Sequence, residues 1–197
     1  MNTVVNFRDF RGQGRNVPTL VLVDLHHELL GGAETLGNTI PTEMIANCRT
    51  ALRHARASGI PVAFTRQVAP SASMLASPVY PRWIEGFEPK RRDMVFDRQR
   101  PSCYASAEFR DMADDIAGNY VVAGQFGELS CLSTAIDAFH RDHRPTFLTD
   151  ALVSCSHEDP STGSMLRALA RILSLYADVT RTQPWIIATS QRVGVRT

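Results

Sequence analysis

Val17-Pro18-Thr19-Leu20-Val21-Leu22-Val23-Asp24 is the stretch that decides the fold. Leu20 to Val23 is aliphatic at consecutive positions, without the alternation of a strand that has one wet face. A strand of this kind is covered on both sides, as in a parallel sheet lying between two layers of helices. It ends abruptly in a carboxylate, Asp24. Downstream of it, Pro41-Thr42-Glu43 opens a helical pattern in which Ile45, Cys48, Leu52 and Ala55 share a face, and Gly59 stops it. Pro61 to Thr65 reads as a second strand and Met94-Val95-Phe96 as a third. Phe109, Met112, Ala113 and Ile116 predict a short helix closed by Gly118. Tyr120 to Gly124 is a fourth strand, and Leu129, Leu132, Ile136 and Phe139 give an amphipathic helix over 128–142. Pro145 to Thr149 is a fifth strand ending at Asp150. Met165, Leu166, Leu169, Ile172 and Leu173 form another helix, and Ala177 to Thr180 a last strand. Residues 66–92, with Pro70, Pro78, Pro81 and Pro89, carry little periodicity, and a connection of that length usually serves a pocket as wall or lid.

Strands alternating with helices build βαβ units. The expected fold is α/β: three layers, α/β/α, around a mostly parallel, Rossmann-like sheet of about six strands. One domain spans 1–197, with 1–16 and 183–197 as peripheral arms. In such sheets ligands bind outside the carboxyl ends of the strands. Chemistry is therefore expected at Asp24, Thr65 to Gln67, Phe96 to Arg98, Gly124 to Ser130 and Asp150.

Composition bounds the function. The 197 residues are 44% hydrophobic and 21% charged with a net charge of +1, which fits a globular chain and excludes disordered and collagen-like classes. A chain of this length buries roughly 70% of its unfolded surface, so it needs no metal or disulfide staple. Near-neutral charge leaves no footprint for nucleic acid or an anionic membrane. Leu20 to Val23 is the longest aliphatic run, too short to span a bilayer. The first 17 residues have no apolar core of a signal peptide. Cys48, Cys103, Cys131 and Cys155 match no zinc or redox spacing. They read as reduced thiols, and the expected location is the cytoplasm.

Several residues could carry chemistry. Asp24 at a strand tip is partly desolvated, which raises a carboxyl pKa, although a loop-start Asp often only caps amides. His26 lies two residues on and shares a face with Asp24 if the chain stays extended. It serves as a pocket-wall donor more often than as a catalyst. Gly124-Gln125-Phe126-Gly127-Glu128-Leu129-Ser130-Cys131 joins the fourth strand to its helix. Ser130 falls in the first turn, where free amides favour an oxyanion. Ser130 or Cys131 could be a nucleophile; capping for the serine and core filling for the cysteine are the plain alternatives. The segment lacks the ending of a phosphate loop. Arg98 could hold a substrate carboxylate through a bidentate contact, or sit in a solvated basic turn. No third ligand supports a metal at Asp24 and His26, and no cofactor is expected.

Taken together, these segments resemble the isochorismatase-like hydrolase superfamily, over about Thr19 to Thr182. The family pattern has an Asp ending strand one, a Lys after strand three and a Cys opening the helix after strand four. Asp24 fills the first place. Arg98, four residues before Ser102-Cys103-Tyr104, fills the second. Gly124 upstream and Thr134-Ala135-Ile136-Asp137-Ala138 downstream put Ser130, not Cys131, in the third. Ser130 to Phe139, with Arg141-Asp142, Pro145 and Asp150-Ala151, is most similar to the siderophore- and phenazine-pathway enzymes, which have no cysteine nucleophile and cleave a vinyl ether to release pyruvate. The resemblance implies secondary metabolism and Asp24 as the general acid that protonates the enolpyruvyl methylene, before water attacks the oxocarbenium carbon. It also implies Gln67 as a substrate holder, Phe126 as a pocket wall beside Gly127, a cis Gln125–Phe126 peptide, and a cradle made by the amides of Phe126 and Ser130. Tyr104 and Trp83 are placed in the substrate pocket; for Trp83, partner surface and core cover are the alternatives. His26 stands where the family has Gln, and Arg98 where it has Lys. Arginine cannot deprotonate, and a permanent cation lowers the pKa of an acid that must keep its proton near neutral pH.

Three functions follow. The first is hydrolysis of a small carboxylated or enol-ether substrate without a cysteine nucleophile, with Asp24, Gln67 and Arg98 supplying acid, positioning and anion recognition. The second is an amide or ester hydrolase in which Ser130 attacks and Asp24 or His26 takes its proton. The third is an inactive relative that only binds. The expected partners are a small-molecule substrate and a second copy of the chain, as a homodimer or higher homo-oligomer, with neither nucleic acid nor membrane.

Overall fold

The computed structural model describes residues 17–27, 42–68, 80–125, 127–153 and 162–193. The strands are β1 (Thr19–Val23), β2 (Val62–Gln67), β3 (Met94–Arg98), β4 (Tyr120–Gln125), β5 (Thr146–Val153) and β6 (Asp178–Thr180). The helices are α1 (Thr42–Ala57), α2 (Ala107–Asp115), α3 (Leu132–Phe139), α4 (Thr162–Tyr176) and α5 (Thr182–Val193). The six strands form one sheet in the order β3-β2-β1-β4-β5-β6, and every neighbouring pair is parallel. This is the α/β fold read from the sequence.

The unbroken apolar run of β1 now has its cause. Val21 and Val23 face a core shared with α2, α3 and α4, through Phe109, Met112, Ala135, Ala138, Leu169 and Leu173. Leu20 and Leu22 face the opposite core, built with Ile45, Cys48, Leu52 and Ala55 of α1 and Trp185 of α5. Each side chain of β1 is withdrawn from water into one layer or the other, at roughly 25 cal/mol per Å² of apolar surface removed. The strand is central because it is apolar on both faces.

The chain order reverses between β1 and β4, which pair directly from Thr19 with Tyr120 to Val23 with Gly124. Gly124 has φ +144, and a Cβ there would stand 2.1 Å from the Val23 carbonyl oxygen. Any side chain at 124 would therefore push the two strands apart at the place where their carboxyl ends open the crevice.

Two elements differ from the sequence reading. β5 runs past Asp150 to Val153, and its register with β4 shifts between Val122 and Gly124. Asp150 therefore lies within the strand, and its Oδ1 accepts from the amide and the hydroxyl of Thr182, both at 2.8 Å. The carboxylate caps α5, which satisfies free amides at a positively polarised helix end. The tail expected as a peripheral arm from 183 is this helix as far as Val193. It carries Trp185, 5% exposed, into the core against the His54 ring. Pro184 is tolerated in the first turn of α5, where its missing N–H has no helical partner. The segment 1–16 lies outside the described residues. No described helix is long and apolar enough to cross a membrane.

Candidate active site

Asp24 leaves β1 with φ 54, in the left-handed region that Asp and Asn enter more readily than other side chains. Its amide still donates to the Thr65 carbonyl at 3.0 Å, so the ladder with β2 continues to the turning point. The extended conformation stops there. The His26 amide instead donates to the Asp24 carbonyl at 2.8 Å, and this tight turn brings His26 Nε2 to 3.6 Å from Asp24 Oδ1. His26 reaches Asp24 through a turn, and not along a shared strand face. The segment is fixed from outside: the His27 amide donates to Arg82 and the Ile84 amide to Leu25, at 2.8 and 3.0 Å, around an antiparallel bridge between His26 and Trp83.

The Asp24 carboxylate is completely buried and lies among three hydrogen-bond donors and the His26 ring. Oδ1 accepts from the Gln67 amide at 3.1 Å and faces His26. Oδ2 accepts from Ser130 Oγ at 2.8 Å and from Arg98 Nη2. An ionised carboxylate has about four lone-pair sites; three accept hydrogen bonds and the fourth faces the His26 ring at 3.6 Å. Burial by itself pushes the carboxyl pKa up, but the approach of His26, the Arg98 charge and the Ser130 hydroxyl outweigh it, and the pKa is lowered. In the free protein Asp24 is an anion.

Arg98, 2% exposed, extends from the end of β3. Its Nη1 donates to Gln67 Oε1 at 3.3 Å and to the Arg100 carbonyl at 2.8 Å, so the guanidinium joins Asp24 to Gln67. Its Nε is buried without a partner. Ser130, fully buried, belongs to a single π-helical turn, Gly127–Cys131, between β4 and α3. The wider turn rotates Ser130 toward β1 and sends Cys131 the other way. Cys131 lies in the core with Val122 and Ala135, its Sγ directed at the Gln125 carbonyl at 3.7 Å. Burial pushes the Cys131 thiol far up, and those of Cys103 and Cys48 upward as well, to about 12 for Cys48. Behind Ser130, Thr134 Oγ1 donates to its carbonyl at 2.7 Å and accepts from the Cys103 amide at 3.0 Å. This ties the turn to the segment after β3.

The structure thus brings Asp24, His26, Gln67, Arg98 and Ser130 together. Trp83 joins them, with its ring edge-on to His26 and to Phe64 at centroid distances of 6.3 and 5.4 Å. Arg66 lies within the expected stretch Thr65 to Gln67 but had no role assigned to it. It pairs with Asp97 through two bonds of 2.8 and 3.0 Å and lies over the Trp83 and Tyr80 rings. The only sequence trace was opposite charges one position before Gln67 and Arg98, and these become neighbours once β2 and β3 are in register. Gly127 is packed tightly, since a Cβ there would meet Leu169 Cδ2 at 2.7 Å. The Tyr104 hydroxyl is elsewhere, bonded to Tyr120 at 3.0 Å and to His143 Nδ1 at 2.8 Å. Tyr120 begins β4, at the end of the sheet opposite Asp24. Phe126, and with it the peptide expected to be cis, lies outside the described residues. No group of three or more His, Cys, Asp or Glu among the described residues could hold a metal ion.

Comparison with known proteins identifies the family. The isochorismatase domain model matches residues 18–183. Enterobactin synthase component B of Escherichia coli (strain K12) is 24% identical over 131 residues, covering 59% of this chain and 46% of that protein. The chain thus spans about half the length of the curated relatives it matches. Among solved structures, a cysteine hydrolase from Pseudomonas syringae pv. phaseolicola 1448A superposes with a TM-score of 0.74 at 16% identity, covering 90% of this chain and 94% of the other. An isochorismatase-like hydrolase from Alkaliphilus metalliredigens gives 0.71 at 17% identity, covering 90% and 98%. At these identities the structural likeness speaks for the fold, while the domain match covers most of the chain. The chain belongs to the isochorismatase family of hydrolases.

Proposed function

We propose that the protein hydrolyses a small carboxylated vinyl ether of the isochorismate type, without a thiol nucleophile. One observation carries this reading: an oxygen, Ser130 Oγ, faces the Asp24 carboxylate at 2.8 Å where a thiol nucleophile would have to stand. The neighbouring thiol of Cys131 is turned into the core and held protonated by burial. Vinyl-ether cleavage needs no covalent intermediate. A proton is added to the terminal methylene, water attacks the resulting oxocarbenium carbon, and the hemiketal collapses to pyruvate and the ring alcohol. The cluster suits those steps. Anionic Asp24 stabilises positive charge developing next to it. Arg98, with a free buried Nε, offers a donor to the substrate carboxylate, and Gln67 holds the guanidinium in place. The match to the isochorismatase domain model supports the same substrate class.

A second reading has its own support. The Ser130 hydroxyl donates directly to a carboxylate, as a nucleophile donates to its base, and an ester or amide could be attacked by Ser130. Arg98 on the same oxygen weakens Asp24 as a base, which places this reading second.

Incubation with isochorismate, with pyruvate followed by a coupled dehydrogenase, tests the proposal. Ser130→Gly retains turnover to within about tenfold under vinyl-ether hydrolysis, because water is the attacking group. Under serine catalysis it loses on the order of 10⁴-fold or more, and wild type then forms an acyl adduct on Ser130 visible by mass spectrometry. Absence of pyruvate release by wild type overturns the vinyl-ether reading.

A further inference from the structure

Both ring nitrogens of His26 are buried without a hydrogen-bond partner. A buried polar group left unpaired costs about 1–3 kcal/mol, so such a group at a site calls for a ligand that completes it. The cost is borne by a residue held firmly in place. Its amide is bonded to the Asp24 carbonyl, its flanks are laddered to residues 82–84, and its ring is set against Trp83. Asp24, which the sequence suggested as the proton donor, accepts hydrogen bonds from the Gln67 amide, Ser130 Oγ and Arg98 Nη2, an environment that favours its ionised form, and leaves Oδ1 facing the His26 ring.

From this arrangement we infer that His26, oriented by Asp24, is the proton-transfer residue of the site. The inference rests on the hydrolytic reading above. Nε2 faces Asp24 Oδ1 at 3.6 Å, and catalytic contacts that are long in a free enzyme commonly tighten on substrate binding. Nδ1 is then the end that meets the substrate. With a vinyl ether, the imidazolium gives its Nδ1 proton to the methylene carbon, and the carbon–carbon π pair forms the new C–H bond. Water adds to the oxocarbenium carbon and returns a proton to Nδ1. The hemiketal hydroxyl proton passes to the ring oxygen as the C–O bond breaks, so the residue ends as it began. Asp24 holds the imidazolium and stays ionised throughout. The charged groups around the ring are Asp24 at the tip of β1, Arg98 of β3 beyond that carboxylate, and Arg66 of β2 over the Trp83 face, itself paired with Asp97. Asp24 is the one charge directly facing it among these.

The test compares wild type, His26→Gln and His26→Ala. Glutamine keeps the size and hydrogen bonding but cannot carry the proton. We expect kcat to fall by about 10²–10⁴ in both variants with KM changed much less, and the pH–kcat profile to lose one limb. Added imidazole restores part of the His26→Ala rate. A His26→Gln enzyme within threefold of wild type, with the same pH profile, overturns the assignment and leaves vinyl-ether hydrolysis standing. If wild type releases no pyruvate, that reading falls by itself, and ¹⁵N NMR of the histidine ring decides the assignment. Titration with pyruvate then shifts the His26 Nδ1 resonance if the ring faces the ligand, and an unmoved resonance overturns it.

Discussion

Two buried polar clusters lie at opposite ends of the same sheet. At the amino end, Tyr104 bonds Tyr120 and His143, and His143 Nε2 lies 3.5 Å from Asp114. Burial pushes Tyr104 up to about 12 and Tyr120 well above its ordinary value, so both phenols keep their protons. At the carboxyl end, Asp24 and Arg98 form a fully buried ion pair, with His26 and Arg98 Nε left without partners. In the first cluster both hydroxyls are paired, to each other and to the His143 ring. The second is charged and open. A low-dielectric interior makes an unpaired polar group expensive, so the open cluster is the one shaped by a ligand. The closed one fastens α2 and α3 to the sheet.

Breaking each cluster separately should show this contrast. The largest effect is expected from Asp24→Asn. It removes the anion that holds Arg98, His26 and Ser130, so turnover should fall by about 10³-fold or more. Leaving the Arg98 charge uncompensated should also cost about 3–5 kcal/mol in denaturant unfolding. Retention of activity in this variant would remove the cluster from the chemistry altogether. Tyr104→Phe breaks the other cluster: stability should fall by about 1–2 kcal/mol, with kcat unchanged. A large kcat loss there would mean that the two ends of the sheet are coupled and the contrast is mistaken.

Cys131→Ala is a control within the active-site turn. It should cost about 1–2 kcal/mol as a small cavity in the core and leave kcat within about threefold. A thiol nucleophile would instead show complete loss. The smallest effect is the pH dependence of folding. Asp24 has a folded pKa below its ordinary value of 3.8. Its contribution is therefore present in full above that value and is lost as pH falls through the lowered folded pKa. Wild type should lose more stability than Asp24→Asn as pH is taken below about 4. Parallel pH–stability curves would show that the buried carboxylate carries no net linkage.

Much of the carboxyl-end cluster was legible because it lies on strand tips. Asp24 and Arg98 each stand at or just beyond the end of an apolar strand, and Ser130 six residues beyond Gly124. Parallel pairing brings such positions to one edge whatever the loops do. His26 was legible as a residue but not as a geometry, because the left-handed turn at Asp24 replaces the extended path assumed for it. Tyr104 follows Arg98 closely and seemed to belong to the pocket. Its hydroxyl is directed by the path of the turn at Cys103–Ala105, which sequence spacing does not encode. Arg66 and Asp97 fall in stretches expected to carry chemistry, but only the register of β2 with β3 pairs them.

By itself the sequence determined a parallel sheet with β1 at its centre, since only burial on both faces accommodates four consecutive aliphatic side chains between two helical layers. It also determined which strand ends carry an acid, a guanidinium and a hydroxyl. Tertiary structure alone decided that the π-helical turn sends Ser130 to Asp24 and Cys131 to the core, that Asp150 caps a helix, and that His26 keeps an unpaired ring beside a carboxylate held by three other donors. Those outcomes depend on backbone dihedrals and register between segments far apart in the chain, where a rotation of one residue exchanges a site atom for a core atom.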